Sequence, residues 1–148
     1  MKKLVWSLIA GLAMLQVAYA AEANWLTDLA KAQAEAKQAK KLVFMDFTGS
    51  DWCPPCKLLH KNVLTSKEFT DYAKDNLVLV LVDFPRHTKL PPSQEKANNA
   101  LAQKFGIEGF PTVIVLDGNG KEVYKEVGYS GASAKEFVTQ LQKIKKQG

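Results

Sequence analysis

The 148-residue sequence holds only two cysteines, Cys53 and Cys56, one arginine, Arg86, and two histidines, His60 and His87. Two thiols exclude a multi-disulfide scaffold and a four-cysteine zinc ribbon. A single arginine among 20 basic residues argues against nucleic-acid binding, which favours arginine-bearing basic stripes. Lys143, Lys145 and Lys146 do cluster, but at the end of a helical stretch, where cations favour the helix dipole. Charges are spread along the chain, 47% of it is apolar, and no repeat or linker divides it. That composition suits one domain with a real core and excludes full disorder.

The longest apolar run, Leu4 to Val17, falls short of the roughly 20 residues a spanning helix needs. Lys2 and Lys3 precede it, and Ala18-Tyr19-Ala20 puts small residues where a signal peptidase reads them. The pattern predicts a secretory leader over residues 1–20, cut after Ala20; an uncleaved anchor is the alternative. Residues 21–148 then form the working domain outside the cytoplasm, and losing the two leader lysines lowers the net charge from +5 to +3.

A helix is predicted over residues 25–40 behind an Asn24 cap, followed by an apolar strand, Leu42 to Phe47. A second helix opens near Pro54, carrying Leu58, Leu59 and Val63, and Ser66 starts another short one. Leu77 to Val82 is an unbroken Leu/Val run, the mark of a strand buried on both faces. Residues 84–98, with Pro85, Pro91 and Pro92, read as a loop before a helix that Gly106 stops. Thr112 to Leu116 and Lys121 to Val127 flank the turn Asp117-Gly118-Asn119-Gly120, and Ser133 with Glu136 makes a capping box. The order predicts an α/β fold: a mixed sheet of about four strands, helices on both faces, the two early strands parallel.

Function in such a sheet gathers where strands end and helices begin, and Cys53 stands at such a junction. Cys53-Pro54-Pro55-Cys56 there is a redox motif. A helix N-terminus favours the Cys53 thiolate as attacking nucleophile, with Cys56, one turn in and more protected, as resolving thiol. A plain staple closing so small a loop would remove little chain entropy. Zinc or Cu(I) held by Cys53, Cys56, His60 and His87 is the competing chemistry. The two intervening prolines favour a disulfide over a metal clip, so no metal and no cofactor are assigned. Asp46, a carboxylate in an apolar strand, would have its pKa raised by burial and could accept the Cys56 proton.

Trp52-Cys53-x-x-Cys56-Lys57, Gly109-Phe110-Pro111-Thr112 before a strand, and the Gly128 loop together resemble the thioredoxin superfamily over about residues 42–146. The lead-in Asp46 to Trp52 resembles its secreted bacterial members. The resemblance implies a thioredoxin-like fold, preceded by the 25–40 helix and interrupted by residues 84–98, a candidate for partner choice. It implies a cis Phe110–Pro111 bond facing the cysteines, where the Phe110 backbone would pair with an extended substrate. Trp52 would lie flat beside the disulfide, and Tyr129 would join that substrate face; Asp51 and Lys57 read as surface charges. Two departures stand out. The matching aspartate of thioredoxins lies one residue closer to the first cysteine, and its partner lysine is absent here.

Strongly oxidising members tend to place histidine between the cysteines; here stand Pro54 and Pro55, and Pro55 has no N–H to offer a thiolate. A less stabilised thiolate means a lower reduction potential, hence a protein-disulfide reductase, with isomerase or oxidase work as the alternative. Arg86, His87 and Lys89 push the other way if their loop approaches Cys53. A reductase outside the cytoplasm, in the periplasm of a bacterium, implies oxidised exported proteins as substrates and a membrane disulfide reductase as electron donor. Without a dimerisation domain, a monomer is expected.

Overall fold

Seven consecutive buried residues, Leu42–Thr48, form the central strand of the computed structural model, which describes residues 23–147. The leader expected over residues 1–20 lies outside the described residues. In chain order the elements are β1 (Trp25–Leu26), α1 (Leu29–Ala39), β2 (Leu42–Thr48), α2 (Pro54–Leu59), α3 (Lys67–Asn76) and β3 (Leu77–Asp83). They continue with α4 (Pro92–Lys104), β4 (Thr112–Leu116), β5 (Glu122–Val127) and α5 (Ala134–Gln147). The sheet order is β1-β3-β2-β4-β5. β1 and β2 run parallel to β3, whereas β4 is antiparallel to both β2 and β5.

The class, the mixed sheet and the helices on both faces agree with the sequence expectation, but the sheet has five strands. The extra one, β1, lies where the first helix was expected to start. Trp25 and Leu26 pair with Leu79 and Val80, and the Trp25 ring meets Phe44 edge-on at 6.1 Å. The helix therefore begins later, capped by the Asp28 carboxylate, which accepts the Lys31 N–H at 3.1 Å, and not by Asn24.

Alternation along β2 sends Phe44 to one face and Val43, Met45 and Phe47 to the other, giving two cores. On the first face α2, α3 and α5 supply Leu59, Phe69 and Phe137; on the second α1 supplies Ala32 and Ala36, with Leu101 and Phe105 of the α4 region beside them. Phe44 is the hub of the first core, with Phe69 at 5.3 Å and Phe137 at 6.1 Å. Truncating such a ring costs about 3–5 kcal/mol.

Two further boundaries depart from expectation. Residues 84–98 are not all loop, because α4 already starts at Pro92. A proline in the first helical position gives up only an N–H that has no helical partner there. Buried Asn98 is thus a helix residue, donating from Nδ2 to the Asp83 carbonyl at 2.8 Å. Gly106, at φ +57°, then ends the helix region in the left-handed conformation. After α2 the chain makes a π-helical turn over His60–Leu64, with the Thr65 N–H on the His60 carbonyl at 3.0 Å. That wider turn brings both Val63 and Leu64 into the core, while Leu58 stays 50% exposed.

Candidate active site

β2 ends at Thr48, and residues 49–52 turn the chain into α2. The N–H groups of Trp52 and Cys53 both donate to the Gly49 carbonyl, at 3.2 and 2.9 Å. Cys53 is the N-cap residue of α2, in extended backbone, and is disulfide-bonded to Cys56 with a Cα–Cα separation of 5.3 Å. Both cysteines are 3% exposed, so Cys56 is no more protected than Cys53, contrary to expectation. Position distinguishes them instead. The first two helical residues, Pro54 and Pro55, carry no N–H, so this terminus offers Cys53 fewer amides than an ordinary helix start would.

Asp46 sits in β2 between Leu81 of β3 and Val113 of β4, 4% exposed, with its Oδ1 buried and without a partner. Burial, and secondarily the charge of Asp83, push its carboxyl from 3.8 up to about 7. A cavity of about 310 Å³ beside it is lined by Asp46 and Cys56, with His60 and Lys57 also in its wall. Asp46 and Cys56 therefore share one small space. The residue opposite Asp46 on β3 is Leu81, which supplies no cation.

The Phe110–Pro111 bond is cis. The peptide unit that follows it is held by Gly128, whose N–H donates to the Pro111 carbonyl at 2.7 Å. Phe110 meets Trp52 edge-on at 5.9 Å and Phe84 at 5.2 Å, which brings the Pro111 segment to the residue before Cys53. Trp52 packs against Gly49, donates from Nε1 to the Phe84 carbonyl at 2.8 Å, and carries the Arg86 guanidinium 3.6 Å from its ring centroid. Tyr129 lies apart from these aromatic contacts. Its hydroxyl donates to the Ala132 carbonyl at 2.7 Å, and its ring packs on the core that holds Leu59 and Phe137.

Asp51, expected as a surface charge, is the tie between the active-site turn and the loop after β3. Its carboxylate accepts the N–H groups of Arg86, His87 and Thr88 at 2.9, 2.7 and 3.1 Å. The Arg86 amide first, then those of His87 and Thr88, hold its carboxyl below the usual carboxylate range. Lys57 donates to the Asp51 carbonyl at 3.0 Å. Asp83 adds a second tie, accepting the Ser50 N–H at 2.9 Å. Sequence reasoning missed Asp51, Asp83 and Phe84, because each acts on residues more than 30 positions away. Among the described residues, no three His, Cys, Asp or Glu side chains gather as metal ligands, so the set Cys53, Cys56, His60 and His87 is not assembled.

A family model described as a thioredoxin-like domain matches residues 29–145. The chain belongs to the thioredoxin-like family. It is 32% identical over 122 residues to "Disulfide bond reductase DsbH" of Chlamydia pneumoniae, covering 82% of this chain and 72% of that one. "Thioredoxin-related protein DsbJ" of the same organism is 33% identical over 101 residues, 68% of this chain but only 29% of DsbJ. Among solved structures, "DsbH Oxidoreductase" superposes with a TM-score of 0.79 at 30% identity, covering 85% of this chain and 86% of that one. A thioredoxin from Thermus thermophilus shares the fold at a TM-score of 0.61 and 20% identity, over 83% of this chain and 87% of that one.

Proposed function

We propose that this chain is an exported thiol–disulfide oxidoreductase working as a protein-disulfide reductase. The observation that carries the reading is the Cys53–Cys56 disulfide at the β2–α2 junction, opened by two prolines. Reduced Cys53, as thiolate, attacks one sulfur of a substrate disulfide; a mixed disulfide forms and the other substrate sulfur leaves as thiolate. Cys56 then loses its proton and attacks the Cys53 sulfur, which frees the second substrate sulfur. The substrate gains two electrons, and the protein keeps the new Cys53–Cys56 bond.

Asp46 is the proton acceptor for Cys56 in this scheme. A carboxyl poised at about 7, in the cavity that Cys56 also lines, can take a proton and return it at working pH. Trp52, Phe110 and the cis Pro111 form the face on which an extended substrate strand pairs; Tyr129, whose ring packs on the Leu59 and Phe137 core, is left out of it. The direction rests on Pro54 and Pro55: with two amides missing, the Cys53 thiolate gains less, and this outweighs the opposing charge of Arg86, whose loop does approach Cys53 through Trp52. The reductase name of DsbH supports the same direction.

Continued turnover outside the cytoplasm needs a dithiol donor, and a membrane disulfide reductase fits that need. The similarity of this chain to part of "Thiol:disulfide interchange protein DsbD" of Pasteurella multocida supports a partner of that kind, at 31% identity over 119 residues and 18% of that protein. Substrates are oxidised exported proteins, the enzyme acts as a monomer in the periplasm, and the 1–20 leader directs it there. Cys56→Ser tests the scheme: it should accumulate mixed disulfides through Cys53 that dithiothreitol releases. Absence of such adducts, or equal trapping by Cys53→Ser, contradicts it.

A further inference from the structure

We propose that Arg86 makes the docking face selective for disulfides flanked by a carboxylate, so that the preferred substrate is an extended segment with Asp or Glu beside its reacting cysteine. This deepens the reductase reading and rests on it. Arg86 is the only arginine in the chain and stands exposed on the loop after β3. Its guanidinium covers the ring of Trp52, the residue before Cys53, at 3.6 Å from the centroid. A peptide reaching Cys53 past Trp52 therefore meets a planar cation as well as an indole.

The position of that cation is set by the fold. The Phe84 N–H donates to the Thr48 carbonyl at 2.8 Å, and Trp52 Nε1 returns a bond to the Phe84 carbonyl at 2.8 Å. Asp51 fixes the next three residues of interest, accepting from the backbone of Arg86, His87 and Thr88. Because these ties exist before a substrate arrives, little ordering is left for binding to supply.

The charge is also unspent. Asp51, the acid that accepts the Arg86 backbone N–H, is occupied by three backbone amides and makes no hydrogen bond with the guanidinium. The two ion pairs among the described residues, Lys31–Glu35 and Lys67–Asp71, lie elsewhere. A guanidinium presents a fork that matches a carboxylate, and stacking on an aromatic ring leaves its edge N–H groups free to donate. Lys89, exposed on the same loop, adds a second basic side chain. Complementarity thus points to an acidic flank on the substrate, not to a basic one.

The test uses three disulfide-linked peptide dimers that differ only in Glu, Gln or Lys beside the cysteine. The protein is reduced beforehand and freed of reductant. In each reaction it supplies two electrons, closing Cys53–Cys56 and releasing two peptide thiols. Each rate is divided by that of dithiothreitol with the same peptide, which removes the effect of the flanking charge on intrinsic reactivity. The expected Glu-to-Lys rate ratio is about three- to tenfold at low salt, falling towards one near 1 M salt. Arg86→Lys should keep part of the preference, Arg86→Ala should abolish it, and Arg86→Glu should invert it. Because the ratio compares two peptides on one variant, a uniform loss of rate cancels. A wild-type ratio of one with the Gln peptide still reduced, or a ratio unchanged in Arg86→Glu, overturns the selectivity alone. Failure to reduce any of the three peptides overturns the reductase reading and the selectivity with it.

Discussion

The indole N–H of Trp52 donates to the carbonyl of Phe84 at 2.8 Å, joining the residue before Cys53 to the loop that leaves β3. With the Asp51 bonds, this makes the active-site turn and the Arg86 loop one unit. The disulfide is presented by β2 and α2, but the surface around it is built by residues distant in sequence.

Gly49 is where this unit admits no side chain. A Cβ there would stand 2.6 Å from Trp52 Nε1 and 2.7 Å from its Cζ2, and the indole cannot withdraw without losing the Phe84 bond. Gly49→Ala should lower stability by about 1–3 kcal/mol. It should also shift the Trp52 indole N–H resonance. A melting temperature and an indole resonance both unchanged would show that the Trp52 clamp is not tight.

Asp46 carries a stability cost with a defined pH window. Its carboxyl ionises near 3.8 in the unfolded chain and near 7 when folded. Between those values the unfolded state gives up a proton that the folded state keeps, so stability falls as pH rises and levels off above about 7. Asp46→Asn should therefore raise stability at about pH 8 by about 2–4 kcal/mol, with little gain below about pH 4. Denaturant unfolding at the two pH values reads this directly; equal gains at both would contradict the buried-carboxyl account.

The same substitution should harm exchange while it helps stability. With no base in the cavity, the Cys56 step should slow about tenfold or more at neutral pH and recover as pH approaches the thiol range near 8.5–9. Stopped-flow oxidation of the reduced protein by a model disulfide reports it. Rates that match the wild type across about pH 6 to 9 remove Asp46 from the mechanism.

Local signals carried most of the fold. β4 falls at Thr112–Leu116 as the apolar run predicts, Asp117 accepts the N–H groups of Asn119 and Lys121 in the expected turn, and Ser133 and Glu136 cap α5 reciprocally. What the sequence hid depends on partners. β1 is two residues long and exists because β3 lies alongside it. Pro91 and Pro92 read as loop, although a proline also suits a helix start. At the site, the cysteine motif was legible because its four residues are contiguous. The approach of the Arg86 loop was also foreseeable, from the strand edge it leaves, but the role of Asp51 was not, because its contacts span 35 to 37 positions and depend on how β2 and β3 pair.

In the proposed reading, the Pro54–Pro55 turn keeps the Cys53–Cys56 disulfide stable and makes the chain a reductase. The reduction potential of this pair, measured in glutathione or dithiothreitol buffers, tests it most directly. A reductase should show a value below about −230 mV, towards the range of reducing thioredoxins. A value above about −180 mV would contradict it and assign the site to oxidation or isomerisation.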